Sequence, residues 1–86
     1  MTYAYQPTGV CSRQIAIELE GDLIKAVEFT GGCNGNLQGV ARLVEGMTVE
    51  QAVSKIQGIR CGSKTTSCPD QLSKALLLAL EMEKKQ

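Results

Sequence analysis

Four cysteines are the residues of this chain with the most chemistry to offer: Cys11, Cys33, Cys61 and Cys68. The chain has no histidine, which removes mixed cysteine–histidine zinc sites and the catalytic triads that use histidine as a base. Four thiolates suit zinc or an iron–sulfur cluster, since both accept ligation by cysteine alone. We therefore predict a metal site built from these four residues, with zinc ahead of a cluster because zinc more often stabilises small folds.

Cys68 has a local reason to be reactive. Pro69 fits the first turn of a helix, because its missing N–H would be unpaired there anyway, and Asp70 complements the positive helix end. The pattern predicts a helix over about Pro69 to Lys84, with Cys68 at its mouth. The unpaired amide donors of such a helix start favour a thiolate over a thiol.

Two other roles for the cysteines remain open. A pair, either Cys61–Cys68 or Cys11–Cys33, could act as a redox dithiol that needs no cofactor. Buried cysteines can also be small hydrophobic residues without chemistry. Residues 1–7 lack the features of a secretory signal, so we expect a cytoplasmic protein, where cysteines bind metal or do redox chemistry more often than they form permanent disulfides.

Composition narrows the range of partners. The chain has nine basic and nine acidic residues, so it has no basic excess for phosphate contacts, and we expect no nucleic-acid binding. Its longest apolar run, from Ala75 to Leu80, is far too short to cross a bilayer, and we expect no membrane binding. The leucines of the last helix suit a core or a dimer interface, so a homodimer is one expected state beside a protein partner.

The elements that position the cysteines begin with a hairpin. Alternating apolar residues and turn signals predict strands over Thr2–Tyr5, Arg13–Glu20 and Leu23–Phe29, with Gly21-Asp22 as the tight turn. In the third strand, the residues predicted on the buried face are Leu23, Val27 and Phe29. Counting back from the turn places Cys11 opposite Gly32, so Cys11 and Cys33 should be near neighbours at the open end of the hairpin.

Three helices follow the strands. The first is predicted between Asn34 and Gly46, and the second starts at the capping box Thr48-Val-Glu-Gln51 and ends at Gly58. The third is the helix that Cys68 precedes. The 86 residues are therefore expected to form one α+β domain, residues 1–86, in which a small three-stranded antiparallel sheet is followed by three helices packed on one face.

The stretch Thr66-Ser-Cys-Pro-Asp70 spells the signature of the TSCPD domain, and the chain resembles the small free-standing, four-cysteine members of that family. The same domain occurs at the C-terminus of adenosylcobalamin-dependent ribonucleotide reductases. The resemblance implies an accessory module with ribonucleotide reductase as a protein partner, linked to DNA precursor synthesis. Catalysis by this chain alone is not expected, because 86 residues cannot contain the radical-generating barrel and substrate site of such an enzyme.

A more distant resemblance is to the NifU-type scaffold proteins of iron–sulfur assembly. Cys11, Gly32-Cys33-Asn34-Gly35 and Cys68 stand where those proteins have their cysteines. That resemblance implies a NifU-scaffold-like α+β fold with three clustered sulfurs, and iron–sulfur machinery as the partner of a cluster carrier or scaffold. Arg13 stands where those scaffolds have an aspartate, and Cys61 is an additional thiol. A fourth sulfur favours a closed, retained site over a labile one.

Overall fold

A computed structural model of the chain describes residues 2–7, 12–31, 34–59 and 66–84. In these ranges the chain forms three strands and then three helices, an α+β arrangement as predicted. The elements are β1 (Thr2–Tyr5), β2 (Ser12–Glu20), β3 (Leu23–Gly31), α1 (Asn34–Val44), α2 (Val49–Ile56) and α3 (Cys68–Lys84). The strands form an antiparallel sheet in the order β1-β2-β3.

The hairpin of β2 and β3 contains two bulges, one in each strand, whose shifts in the pairing register offset each other. Glu20 pairs with Leu23 across the predicted two-residue turn. Lys25 is then an extra residue in β3, and Arg13 is an extra residue in β2, so neither lies opposite a partner. Between the bulges the register is shifted by one residue, but at the far end Ser12 pairs with Gly31, the partner that counting from the turn gives.

The first bulge makes one prediction wrong. Leu23 is 36% exposed and does not share the buried face with Val27, which is 7% exposed. Ile24, with no exposed surface, takes its place in the core. The alternation of inward and outward side chains is interrupted at Lys25, because the extra residue moves the buried positions from even to odd numbers.

The helices start and end where the sequence places their signals. At the start of α2, Gln51 N–H donates to Thr48 Oγ1 at 3.2 Å, and Thr48 N–H donates to Gln51 Oε1 at 3.1 Å, which completes the predicted capping box. Gly46 and Gly58, with φ of +90° and +85°, follow the ends of α1 and α2. None of the helices in the described part of the chain has the length and apolar character needed to cross a bilayer.

The core lies between the helices and one face of the sheet. α1 packs against β3, α3 packs against β2 and β1, and α2 packs against α3. The completely buried side chains of this layer, none with more than 2% of its surface exposed, include Ile15, Ile17, Leu19, Ile24, Leu72 and Leu76. The predicted packing of the helices on one face of a three-stranded sheet is therefore confirmed, with α3 as the central helix.

Candidate functional site

Cys68 is the first residue of α3, which begins one residue before the predicted start at Pro69, and it is partly exposed. Its position is fixed by a set of hydrogen bonds among residues on both sides of it. We call this set the Asp70 network; its members are Tyr5, Gly58, Ile59, Thr66, Ser67, Asp70 and Gln71.

Asp70 is the centre of the network. The residue is only 6% exposed, and its side chain accepts two hydrogen bonds, one from Gly58 N–H at 2.7 Å and one from Thr66 Oγ1 at 2.5 Å. The hydrogen bond from Thr66 is the largest cause that lowers the pKa of Asp70 below its ordinary value, and the bond from Gly58 adds to it. Burial opposes both, but the two donors outweigh it, so Asp70 is a carboxylate.

Ser67 caps α3 and ties it to the end of the preceding segment. Its hydroxyl oxygen accepts from Asp70 N–H at 3.2 Å, and its carbonyl oxygen accepts the first helical bond, from Gln71 N–H at 2.8 Å. The same hydroxyl donates to the carbonyl of Ile59 at 2.6 Å. Together with the Gly58–Asp70 bond, this contact joins the described residues on either side of positions 60–65, and Cys61 is one of the residues between them in the sequence.

Gln71 extends the network to the sheet. Its Nε2 donates to Thr66 Oγ1 at 3.0 Å, and its Oε1 accepts from the hydroxyl of Tyr5 at 3.2 Å. Tyr5 pairs with Ile15, three residues from Ser12, and Ser12 pairs with Gly31. At about 3.3 Å per residue, Ile15 lies roughly 10 Å from Ser12 along β2, so the Tyr5–Gln71 bond joins the first turn of α3 to the part of the sheet near the open end of the hairpin.

This arrangement brings four chain segments to one end of the molecule. Ser12 begins β2 and Gly31 ends β3 there, and α1 begins three residues later, at Asn34. The first turn of α3 lies at the same end because of the Tyr5–Gln71 contact. The starts of two helices thus converge at this end, and their positive dipole ends favour negatively charged ligands or thiolates.

The described residues do not test the four-cysteine site itself. Cys68 is described, but Cys11, Cys33 and Cys61 lie outside the described ranges, as does the predicted pairing of Cys11 with Gly32. Within residues 2–7, 12–31, 34–59 and 66–84, no three cysteine, aspartate or glutamate side chains are grouped so that they could hold a metal ion. The predicted ligand set therefore stays a prediction.

The comparisons with known proteins identify the family. A family model described as the TSCPD domain matches residues 1–80. The chain belongs to the TSCPD domain family. No curated protein and no solved structure gives a significant match, and the resemblance to NifU-type scaffolds is not shown by any comparison.

The Asp70 network gives the TSCPD signature a physical explanation. Thr66, Ser67 and Asp70 supply the hydrogen bonds that fix the start of α3, while Pro69 occupies its first turn and Cys68 is the residue they position. The sequence alone indicates Asp70 as a helix-dipole residue and gives no contacts for Thr66 and Ser67. The signal in the sequence is the Ser67-x-x-Asp70 pattern, since Ser is a preferred N-cap residue and its side chain bonds to the backbone N–H three positions later.

Proposed function

We propose that this TSCPD domain is a small metal-binding accessory module, with Cys11, Cys33, Cys61 and Cys68 as the ligands of one zinc ion. An iron–sulfur cluster is the second choice of metal. Bound zinc would act as a structural crosslink in a small core, and four thiolates are a donor set that zinc accepts in closed sites. A reducing, cytoplasmic compartment would keep these thiols available.

The observation that carries the proposal is the hydrogen bond between Tyr5 and Gln71, at 3.2 Å. It holds the first turn of α3, and with it Cys68, at the end of the sheet where Ser12 pairs with Gly31. In the sequence, Cys11 directly precedes Ser12, and Cys33 directly precedes α1. Chain connectivity therefore favours a common location for Cys11, Cys33 and Cys68.

The fourth ligand is supported by the residues that flank positions 60–65. The carbonyl of Ile59 accepts from Ser67, and Gly58 N–H donates to Asp70, so the described residues on both sides of these positions lie beside the start of α3. Cys61 is two residues from Ile59 and seven from Cys68 in the sequence. Chain connectivity therefore favours a location for Cys61 near Cys68.

Metal analysis of anaerobically purified protein tests the proposal. We expect native mass spectrometry to show one zinc ion per chain with loss of four protons, and each single cysteine-to-serine variant to weaken zinc binding by about tenfold or more. Ser63→Ala is the matched control, because it alters residues 60–65 without removing a sulfur. Zinc binding that survives Cys11→Ser or Cys61→Ser unchanged would contradict the four-ligand site.

Two other outcomes would identify the alternatives. A brown protein with visible charge-transfer absorption would replace zinc by an iron–sulfur cluster, and a cluster that passes readily to a recipient protein would indicate a carrier or scaffold. Two rapidly alkylated thiols in a protein that binds no metal would overturn the metal site and indicate a thiol–disulfide redox partner.

The proposed partner is ribonucleotide reductase or a component of iron–sulfur assembly, in line with the TSCPD family and the cysteine chemistry. Titration of the metal-loaded protein into a purified adenosylcobalamin-dependent ribonucleotide reductase, followed by calorimetry, measures this directly. We expect saturable binding that is lost in the Cys68→Ser variant. Absence of binding by the metal-loaded protein would remove the enzyme as a partner and leave the metal site unaffected.

A further inference from the structure

The outer edge of β3 is covered along only part of its length. Near the turn, the chain's own backbone covers it: Ile24 N–H donates to Met47 O, and Gly46 N–H donates to Ile24 O, both at 2.9 Å. Further along, the Glu45 carboxylate accepts from Val27 N–H at 3.3 Å. From Phe29 to Gly31, no hydrogen bond from the described part of the chain caps the outward peptide groups of this edge.

The direction of the peptide groups follows from the antiparallel ladder. Residues of an edge strand alternate between pairs bonded to the neighbouring strand and pairs whose N–H and C=O point away from it. Val27 points its N–H outward to Glu45, so Val27 and Ile17 form a pair that is not hydrogen-bonded across the two strands. Phe29 is two residues further on, opposite Ile15, and its N–H and C=O therefore also point outward.

The other edge of the sheet is better protected. β1 has only four residues and is followed by Pro7, and short edge strands with a nearby proline discourage pairing with another chain. Beside Phe29, in contrast, a groove of about 270 Å³ runs between β3 and α1. Its lining residues are Val27, Glu28, Phe29, Leu37, Gln38 and Ala41.

We propose that this edge binds a second copy of the chain, with the two β3 strands antiparallel and centred on Phe29. The arrangement is self-complementary, because Phe29 of each copy donates its N–H to the Phe29 carbonyl of the other. The two sheets then form one six-stranded sheet. On the helix side, the α1 residue beside the centre is Gln38, which is uncharged.

The charges on the solvent face of the sheet agree with this register. With Phe29 opposite Phe29, Glu28 of each copy lies opposite Thr30 of the other, twice in the dimer. Both residues are exposed in the single chain, so they are available for this contact. Carboxylate and hydroxyl form a favourable cross-strand pair, whereas a pairing shifted by two residues would place Glu28 opposite Glu28.

The paired stretch is short, so the dimer is expected to be weak. Interfaces smaller than the standard size of about 800 Å² per partner are typical of transient association. Sedimentation equilibrium over a range of about 10 to 500 μM, with a reductant present to exclude disulfide crosslinks, should show a reversible monomer–dimer equilibrium.

Charge exchange at the Glu28–Thr30 contact tests the register. Thr30→Glu places two pairs of carboxylates face to face and should weaken the dimer by about fivefold, whereas Thr30→Lys should strengthen it by a similar factor. The double variant Glu28→Lys with Thr30→Glu pairs opposite charges again, as Thr30→Lys does, and should therefore associate at least as tightly as the wild type. Circular dichroism checks that each variant keeps its fold, since both side chains are exposed.

Three outcomes would overturn the proposal. The first is a protein that stays monomeric over the whole concentration range. The second is a dimer whose dissociation constant is the same in all variants, which would place the interface elsewhere. The third is a double variant that associates as weakly as Thr30→Glu alone, since repulsion across β3 predicts recovery.

Discussion

Removal of the Asp70 carboxylate should destabilise the protein by an amount that the structure allows us to estimate. Asp70→Ala leaves the buried Thr66 hydroxyl without its acceptor, and a buried unsatisfied polar group costs about 1–3 kcal/mol. It also removes the acceptor of Gly58 N–H, but Gly58 is exposed and water can replace part of that bond. We therefore expect a loss of about 2–4 kcal/mol in the free energy of unfolding.

Two further variants separate the charge from the shape. Asp70→Asn keeps the size of the side chain but faces Thr66 with an amide donor, and should cost about 1–2 kcal/mol. Lys74→Ala removes the ion pair with Asp70, at 3.9 Å, and should cost at most about 0.5 kcal/mol because the Lys74 side chain is 55% exposed. Urea unfolding, with thiols reduced and compared with and without added zinc, measures all three.

The pH dependence of the free energy of unfolding gives a second test of the Asp70 carboxylate, and the direction of the change can be predicted. The pKa of Asp70 is lower in the folded protein than its ordinary value of 3.8, so the ionised carboxylate stabilises the fold fully at pH values well above 3.8. This stabilisation is lost as the pH falls through the folded-state pKa. The difference between the wild type and Asp70→Asn should therefore be constant above about pH 5 and shrink below about pH 4.

Either of two results would contradict the stabilising role of the Asp70 carboxylate. One is an Asp70→Ala variant that loses less free energy of unfolding than Lys74→Ala. The other is a difference between wild type and Asp70→Asn that stays unchanged down to pH 3. A double-mutant cycle of Asp70→Asn with Thr66→Val measures the interaction energy of the two side chains directly. Because the two groups are in contact, this energy should be about 0.5 kcal/mol or more.

Three other predictions follow from single contacts, and thermal unfolding checks each. Gly31→Ala should destabilise by about 1–2 kcal/mol, because φ is +81° and a new Cβ would lie 3.2 Å from the nearest side chain, whereas Gly39→Ala on the open side of α1 should stabilise by up to about 1 kcal/mol. Leu76→Ala should cost about 2–5 kcal/mol and its half-exposed neighbour Leu77→Ala about 1 kcal/mol or less; equal costs would contradict the orientation of α3. Tyr5→Phe should cost about 1 kcal/mol and also weaken zinc binding, while an unchanged zinc affinity would argue against a shared location of the cysteines.

The local elements were predictable because their signals are short. The turn at Gly21-Asp22, the capping box at Thr48 and the start of α3 each depend on residues within four positions of one another. The alternation of apolar residues that predicts β2 likewise agrees with the structure, in which Ile15, Ile17 and Leu19 are buried. The family assignment rested on five consecutive residues and is confirmed by the match over residues 1–80.

Features that depend on distant residues were not predictable. The bulge at Lys25 is set by how β3 pairs with β2, and the sequence shows it only as a charged residue that breaks the alternation. The bonds of Asp70 to Gly58 and of Gln71 to Tyr5 join residues 12 and 66 positions apart. No local pattern contains such pairs, so the sequence could suggest Asp70 as a helix-start residue but could not give its partners.

The hydrogen bonds that join the residues flanking positions 60–65 have a consequence for protein engineering. Gly58 and Ile59 on one side are bonded directly to Asp70 and Ser67 on the other, so these flanking residues are held together by contacts of their own. Doubling the length of a flexible connection costs only about 0.6 kcal/mol in closure entropy. A foreign peptide, such as an affinity tag, inserted between Cys61 and Thr66 should thus leave the sheet and α3 folded.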